Sequence, residues 1–297
     1  MAGQKIPVNL TRSKITPTAI YVPHYLLYNS QYLEEQELKL SYNNRSLQYN
    51  DGFFDTLIYT QNRVRFLFDH LDRMKKAIQA LNLNYPEVLK NAEKFSDAIR
   101  LLIQKNNIAA EAIRVKVNIW RKAGGLFTPE SNEAEVLISV QAQNSFSPSI
   151  KLAGFYADLP NRFTPFSFFK GPYALHYVQA SIAKKRSGFD EIVLLDEKKN
   201  ISECLASNIF WIKNNQLFTP ALETGCIAGI MRLNILRAAQ MLRIEVQEGF
   251  FSQSDLLAAD FIFTSNVTAL RPVLSIYDQQ FAPQHSLLPQ LEKLVFA

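Results

Sequence analysis

Apolar and polar positions alternate with clear periods in both halves of the chain. Ile113, Val115, Val117 and Ile119 alternate with Arg114, Lys116 and Asn118, which predicts a half-buried strand whose other face carries Arg114. Residues 53–59 and 64–68 read as strands around the polar break Thr60-Gln61-Asn62. Asp69 is placed to cap a helix in which Leu71, Met74, Ile78 and Leu81 recur three and four residues apart, forming one apolar stripe. A second amphipathic helix is expected over 97–105, an apolar strand over 136–140, and strand, turn and strand within 21–40.

The second half is patterned differently. Pro172 suits the first turn of a helix running to about Ser187, where Gly188 supplies a left-handed stop. Strands are expected at 191–195, 201–203, 209–213 and 217–219, with Asn214-Asn215 as a type I′ hairpin turn. Residues 225–229 lead into a helix over 230–242. A strand at 244–247, a helix at 252–258 and a buried strand at 261–264 follow, the last ending in Ser265-Asn266. The stretch NSFSPSI at 144–150 carries neither period and contains Pro148, so it is the expected linker. The pattern predicts an α/β (α+β) protein of two domains, residues 1–145 and 146–297, with a cleft between them.

Composition narrows the class. Hydrophobic residues make up 47% and charged residues 20% of 297, with no apolar run approaching the ~20 residues of a membrane span. The start, MAGQKIPVNLTRSK, is basic without an apolar stretch behind it, so a cytoplasmic rather than secreted protein is expected. Cys204 and Cys226 have no metal-ligand spacing, which favours two buried thiols over a disulfide or a metal site. The net charge of +5 is scattered, and an anionic small molecule accounts for it as well as nucleic acid would.

Chemistry is suggested first by FSFFKGP, where Lys170 follows an aromatic run and precedes a strand-to-helix junction. Desolvation favours the neutral amine, which is a nucleophile. On those residues alone, a lysine reaching to solvent from a loop is the plainer interpretation. The downstream pieces change that: Gly188-Phe-Asp190-Glu191, the apolar strand to Asp196, Ile201-Ser-Glu203, Ala206-Ser-Asn208-Ile-Phe210, Thr219-Pro220 and Gly229-Ile-Met-Arg232. Upstream stand Tyr49-Asn-Asp51-Gly52-Phe-Phe54-Asp55-Thr56 and Asp69-His70-Leu-Asp-Arg73. In this order and spacing, over about residues 45–275, the set resembles the fold-type IV family of pyridoxal-phosphate enzymes, the class IV aminotransferases.

The resemblance implies a smaller N-terminal α/β domain, a larger C-terminal domain with a barrel-like sheet, a homodimer, and pyridoxal 5'-phosphate as cofactor. Lys170 would hold the cofactor and move the substrate α-proton, and Glu203 would meet the ring nitrogen. Arg73, the helix start at Gly229, Ile230 and Met231, and Asn266 would hold the phosphate, with Ser207, Asn208 and Ser265 as further cofactor-binding candidates, Ser265 being equally readable as a polar turn. Met231 stands where the family usually has Thr, and Gly171-Pro172-Tyr173 departs from the family's run after its lysine, with Tyr173 a substitute for its cofactor-contacting tyrosine. Asp55, Arg114 and Arg121 are substrate-binding candidates, the two arginines being equally readable as surface charges. Transamination of a small amino acid to a 2-oxo acid is the expected reaction. The alternatives are 4-amino-4-deoxychorismate lyase chemistry and, more remotely, a non-catalytic binding protein that kept the fold.

Overall fold

A computed structural model describes residues 24–144, 147–171 and 174–296. The basic N-terminal stretch, Pro172 and Tyr173 lie outside these, as do Ser145 and Phe146 of the expected linker.

The first half is built on a six-stranded antiparallel sheet. Its strands are β1 (Tyr25–Tyr28), β2 (Gln31–Glu34), β3 (Gly52–Thr60), β4 (Arg63–Val64), β5 (Ala112–Arg121) and β6 (Ala134–Ala142), in the order β2-β1-β6-β5-β3-β4. Ile113, Val115, Val117 and Ile119 are buried as the alternation requires. They pack with Met74, Ala77 and Ile78 of helix α2 (Leu67–Ala80; α1 is the short Arg45–Tyr49) and Phe95, Ile99 and Leu102 of α3 (Ala92–Lys105). The sheet's other face is left for the cleft.

Two expectations are corrected here. The strand expected at 64–68 stops at Val64, because Phe66 takes a left-handed φ of 54° and α2 begins at the next residue. Asp69 is therefore not the cap but a first-turn residue, and its carboxylate pairs instead with Arg237 at 2.8 Å and with Asn234 at 2.9 Å.

The second half carries two five-stranded sheets. One, in the order β12-β11-β10-β13-β14, uses β10 (Asn208–Lys213), β11 (Gln216–Pro220), β12 (Val246–Gly249), β13 (Phe261–Ser265) and β14 (Leu270–Val273). The other, in the order β16-β15-β7-β8-β9, uses β7 (Ala153–Asn161), β8 (Glu191–Asp196), β9 (Ile201–Cys204), β15 (Ser275–Ile276) and β16 (Gln279–Gln280). Bridges Cys204–Ser207 and Ile150–Val273 join them into one curled, barrel-like wall. Val193, Ile209, Trp211 and Ile262 fill the space between the sheets. Helices cover both outer faces, α4 (Leu175–Ser187) on β8 and α5 (Ile230–Met241) with α7 (Leu287–Val295) on β10 and β13; α6 is the short Gln253–Leu257.

Several local signals act as expected. Gly188 ends α4 with a φ of 70°, and Asn214 and Asn215 turn between β10 and β11 with φ of 51° and 61°. Cys204 and Cys226 are buried free thiols, the latter pushed up to about 12 by burial. No helix among the described residues is long and apolar enough to cross a membrane.

Candidate active site

A cavity of about 870 Å³ lies between the exposed face of the first sheet and the curled wall of the second half. Its position follows from strand periodicity. On β3, Phe54 and Thr56 face the cavity, while the alternate residues Phe53, Asp55 and Leu57 turn toward α2. On β5, Arg114 faces it opposite the buried Val115.

Lys170 lies in the cavity at the seam between the halves. The Phe54 amide donates to the Lys170 carbonyl at 2.9 Å, fastening this segment to β3. Phe169, 4% exposed, packs edge-on against Phe53 and Phe168 and belongs to the first half's core. Gly171 continues at a φ of 141°, and a Cβ there would come within 2.8 Å of the Phe53 Cα, so the segment passes only as glycine. Burial, reinforced by the Arg73 guanidinium, lowers the Lys170 amine to about 8, while Asp55 and Glu203 partly oppose the shift. At pH 7 about a tenth of the amine is then neutral.

Glu203, on β9, is 3% exposed and lines the same cavity. Burial raises its carboxyl to about 7 against donors that favour the carboxylate: Tyr177, the Ile227 amide, Asn161 and the Lys170 charge. A half-buried lysine and a buried acid thus share one chamber.

The chamber's remaining wall is suited to an anion. Gly229 is the N-cap of α5 and no side chain caps the helix, so the first-turn amides of Ile230 and Met231 have no intrahelical partner. A Cβ on Gly229 would fall 2.0 Å from Asn208 Oδ1, and Asn208 Nδ2 donates to the Ile227 carbonyl at 2.9 Å. Ser207 and Ser265 are buried, line the cavity, and have hydroxyls with no hydrogen-bond partner. Strand pairing places Ser265 opposite Asn208. Asn266 lines the cavity but spends its Oδ1 on the Thr268 and Ala269 amides, shaping the loop after β13. Arg73 reaches in from α2, donating to the Ala228 carbonyl at 2.9 Å and to Asp55 Oδ1 at 2.6 Å.

The structure thus brings together Lys170, Arg73, Arg114, Glu203, Ser207, Asn208, Gly229, Ile230, Met231, Ser265 and Asn266. Two candidates fall elsewhere. Asp55 sits beneath the cavity wall on the α2 side, 2.6 Å from Arg73 and 3.2 Å from His70 Nδ1; the Arg73 and His70 charges hold its carboxyl well below the usual carboxylate range despite burial. Arg121 is spent inside the first half, on Asp51 Oδ2 at 2.9 Å, Asn132 Oδ1 at 2.6 Å and the Leu81 carbonyl. Tyr177, Asn161, His70 and Gln143 also line the cavity, with no role legible for them in the sequence. Tyr177 and Gln143 carried no motif. His70 was visible only as part of the Asp69–Arg73 match.

The amino-transferase class IV family profile matches residues 52–276. The chain is 25% identical over 262 residues to the branched-chain-amino-acid aminotransferase of Escherichia coli K12, covering 85% of this chain and 84% of that one. It is 28% identical over 272 residues to the aminodeoxychorismate lyase of Bacillus subtilis, covering 86% and 88%. The branched-chain aminotransferase structure from Thermoproteus uzoniensis superposes with a TM-score of 0.82 at 22% identity, over 92% of this chain and 93% of that one. With its mixed α/β architecture, its curled sheet and its cavity in place, the chain belongs to the amino-transferase class IV family of enzymes.

Proposed function

We propose that the cavity holds pyridoxal 5'-phosphate and that the enzyme transfers the amino group of a small amino acid to a 2-oxo acid. The observation that carries this is the convergence of an amine, a ring-facing acid and an anion cup in one chamber. The fit is specific: the orphaned hydroxyls of Ser207 and Ser265, the open α5 amides and Arg73 suit a phosphate. Glu203 suits a pyridine nitrogen, and Lys170 suits an aldehyde carbon.

When bound, the cofactor supplies an electron sink for charge developing beside the substrate nitrogen. The chain's own residues do the rest. Lys170, with an amine near 8, takes up and returns a proton at its Nζ. Arg114, half-buried on β5 and facing the cavity, offers a fixed cation for a substrate carboxylate. Phe54, Phe166 and Phe169 shield the amine from water. Elimination of pyruvate from aminodeoxychorismate is the second reading, favoured by the match to the Bacillus subtilis lyase along most of both chains.

The test is spectroscopic. Protein with added pyridoxal phosphate should gain a visible band, borohydride should fix the cofactor to the Lys170 peptide, and Lys170→Ala should do neither; a chain that stays colourless sinks the proposal. Conversion of the bound cofactor to its amine form by an amino acid identifies a transaminase. Pyruvate release without a 2-oxo acid identifies a lyase.

The proposal includes a cytoplasmic homodimer. Tyr42, Leu126 and Phe127 are 80%, 76% and 89% exposed, on loops that Arg45 ties together through the Gly124 and Leu126 carbonyls. Sedimentation at micromolar concentration should give twice the chain mass, and a monomer would refute the pairing.

A further inference from the structure

Three donors from three separate segments converge on the Glu203 carboxylate. Tyr177, in the first turn of α4, donates its hydroxyl to Oε1 at 2.5 Å. Asn161, at the end of β7, donates Nδ2 to the same oxygen at 3.1 Å and to Ser202 Oγ at 2.9 Å. The Ile227 amide, ahead of α5, donates to Oε2 at 3.2 Å.

We propose that Tyr177 is a positioning residue that fixes the Glu203 side chain and favours its carboxylate form, the form that accepts from a protonated ring nitrogen. The inference rests on the cofactor assignment above. A carboxylate buried to this degree reverts to the neutral acid unless donors favour the charge. An acid proton on Glu203 would remove its ability to accept.

Tyr177 suits this role because it cannot itself compete for the charge. Burial, and then the neighbouring Glu203, push its phenol well above the ordinary tyrosine range, so it stays a donor wherever Glu203 titrates. Other titratable groups stand beside the pair, among them His176, whose ring centroid lies 3.9 Å from that of Tyr177. Lys170, from the segment before α4, favours the carboxylate. Cys226, ahead of α5, and Cys204, next on β9, are thiols raised by burial and are neutral in that range. Asn161 is the weaker partner, being longer and shared with Ser202.

Carboxyl-labelled glutamate in the cofactor-free chain provides a direct readout by carbon-13 NMR, with the Glu203 signal assigned through its loss in Glu203→Gln. The wild-type midpoint is expected near neutrality. In Tyr177→Phe it should rise by about one pH unit, the worth of one hydrogen bond to a charged group. Asn161→Ala should shift it the same way by less, and 3-fluorotyrosine placed at 177, a stronger donor, should lower it. An unchanged or lowered midpoint in Tyr177→Phe overturns the proposal; if that variant does not fold, an unmoved midpoint with fluorotyrosine does so.

Pyridoxal phosphate titrations followed by tryptophan fluorescence give the second arm. The acid limb of affinity that disappears in Glu203→Gln should move to higher pH in Tyr177→Phe, with several-fold weaker binding at neutral pH that recovers in alkali. A limb that does not move counts against Tyr177. Absence of binding by the wild type at every pH would sink the cofactor assignment instead, leaving the carboxyl titration to judge Tyr177.

Discussion

Lys170 illustrates how a single side chain trades stability for reactivity. Its amine titrates at about 8 in the folded chain against 10.5 ordinarily, so between those values the unfolded chain binds more protons. Stability therefore rises with pH across that window, and below pH 8 the buried charge imposes its full cost, on the order of 3 kcal/mol before local relaxation. Lys170→Met should consequently make the cofactor-free chain more stable by about 1–3 kcal/mol in urea unfolding at pH 7, with the gain shrinking between pH 8 and 10.5. A destabilised variant would show that the amine is better solvated than its surroundings suggest. That Lys170, Glu203, Ser207, Asn208 and the α5 start share one cavity was legible because each piece is local and sits at a strand end or helix start. Asp55 and Arg121 were misplaced for a different reason: residue type identifies a charge, whereas the direction it points depends on strand phase and neighbours. On β3 the phase was available, since Phe53, Asp55 and Leu57 share parity; on β5 no sequence signal reveals that Asp51, Asn132 and Leu81 converge on Arg121.

Among the elements, α2 shows how a cap residue can be diverted. Sequence placed Asp69 at the helix start, but the left-handed Phe66 begins the helix earlier and frees Asp69 to reach α5. Its contacts with Arg237 and Asn234 hold together the two helices that supply Arg73 and the Gly229–Met231 amides. Asp69→Ala should cost about 0.5–1 kcal/mol, in line with a partly exposed pair, and the loss should diminish in 1 M salt. A salt-insensitive loss would point to packing rather than charge. Strands β8, β10 and β13 were readable as apolar runs because both of their faces are covered. Strand β7 and helix α7 were not. The middle of β7, Ala157–Leu159, is exposed and followed by Pro160, which weakens its pattern. In α7, Pro289 looks like a break, yet it falls in the first turn where no amide bond is required. The shift of β12 to residues 246–249 follows from its parallel pairing with β11, a non-local contact.

For the whole molecule we propose two domains meeting near residues 145 and 146. The first sheet and its helices enclose one core, and the curled wall encloses others. Contacts nevertheless cross: Arg73 to Ala228, Asp69 to Arg237, and Arg65 Nη1 to the Val267 carbonyl at 3.1 Å. Limited proteolysis should cut first around the exposed Ser147 and Pro148, giving two fragments that co-elute under native conditions and separate only in denaturant. First cleavage inside either core would refute that boundary. The proposed boundary rests on the change in periodicity at this stretch, whereas the contacts across it involve residues more than 150 positions apart and left no local trace.

Phe169 gives the arrangement a final consequence. It is seated in the core of the smaller half, next in the chain to Lys170, which lines the cavity against the larger half. If the cavity holds the proposed cofactor, a weakened first half would misaim the lysine nitrogen and loosen Arg73 while the α5 amides and the two serine hydroxyls kept their places, so damaged molecules would accumulate as loosely loaded, idle enzyme before any of them unfolded.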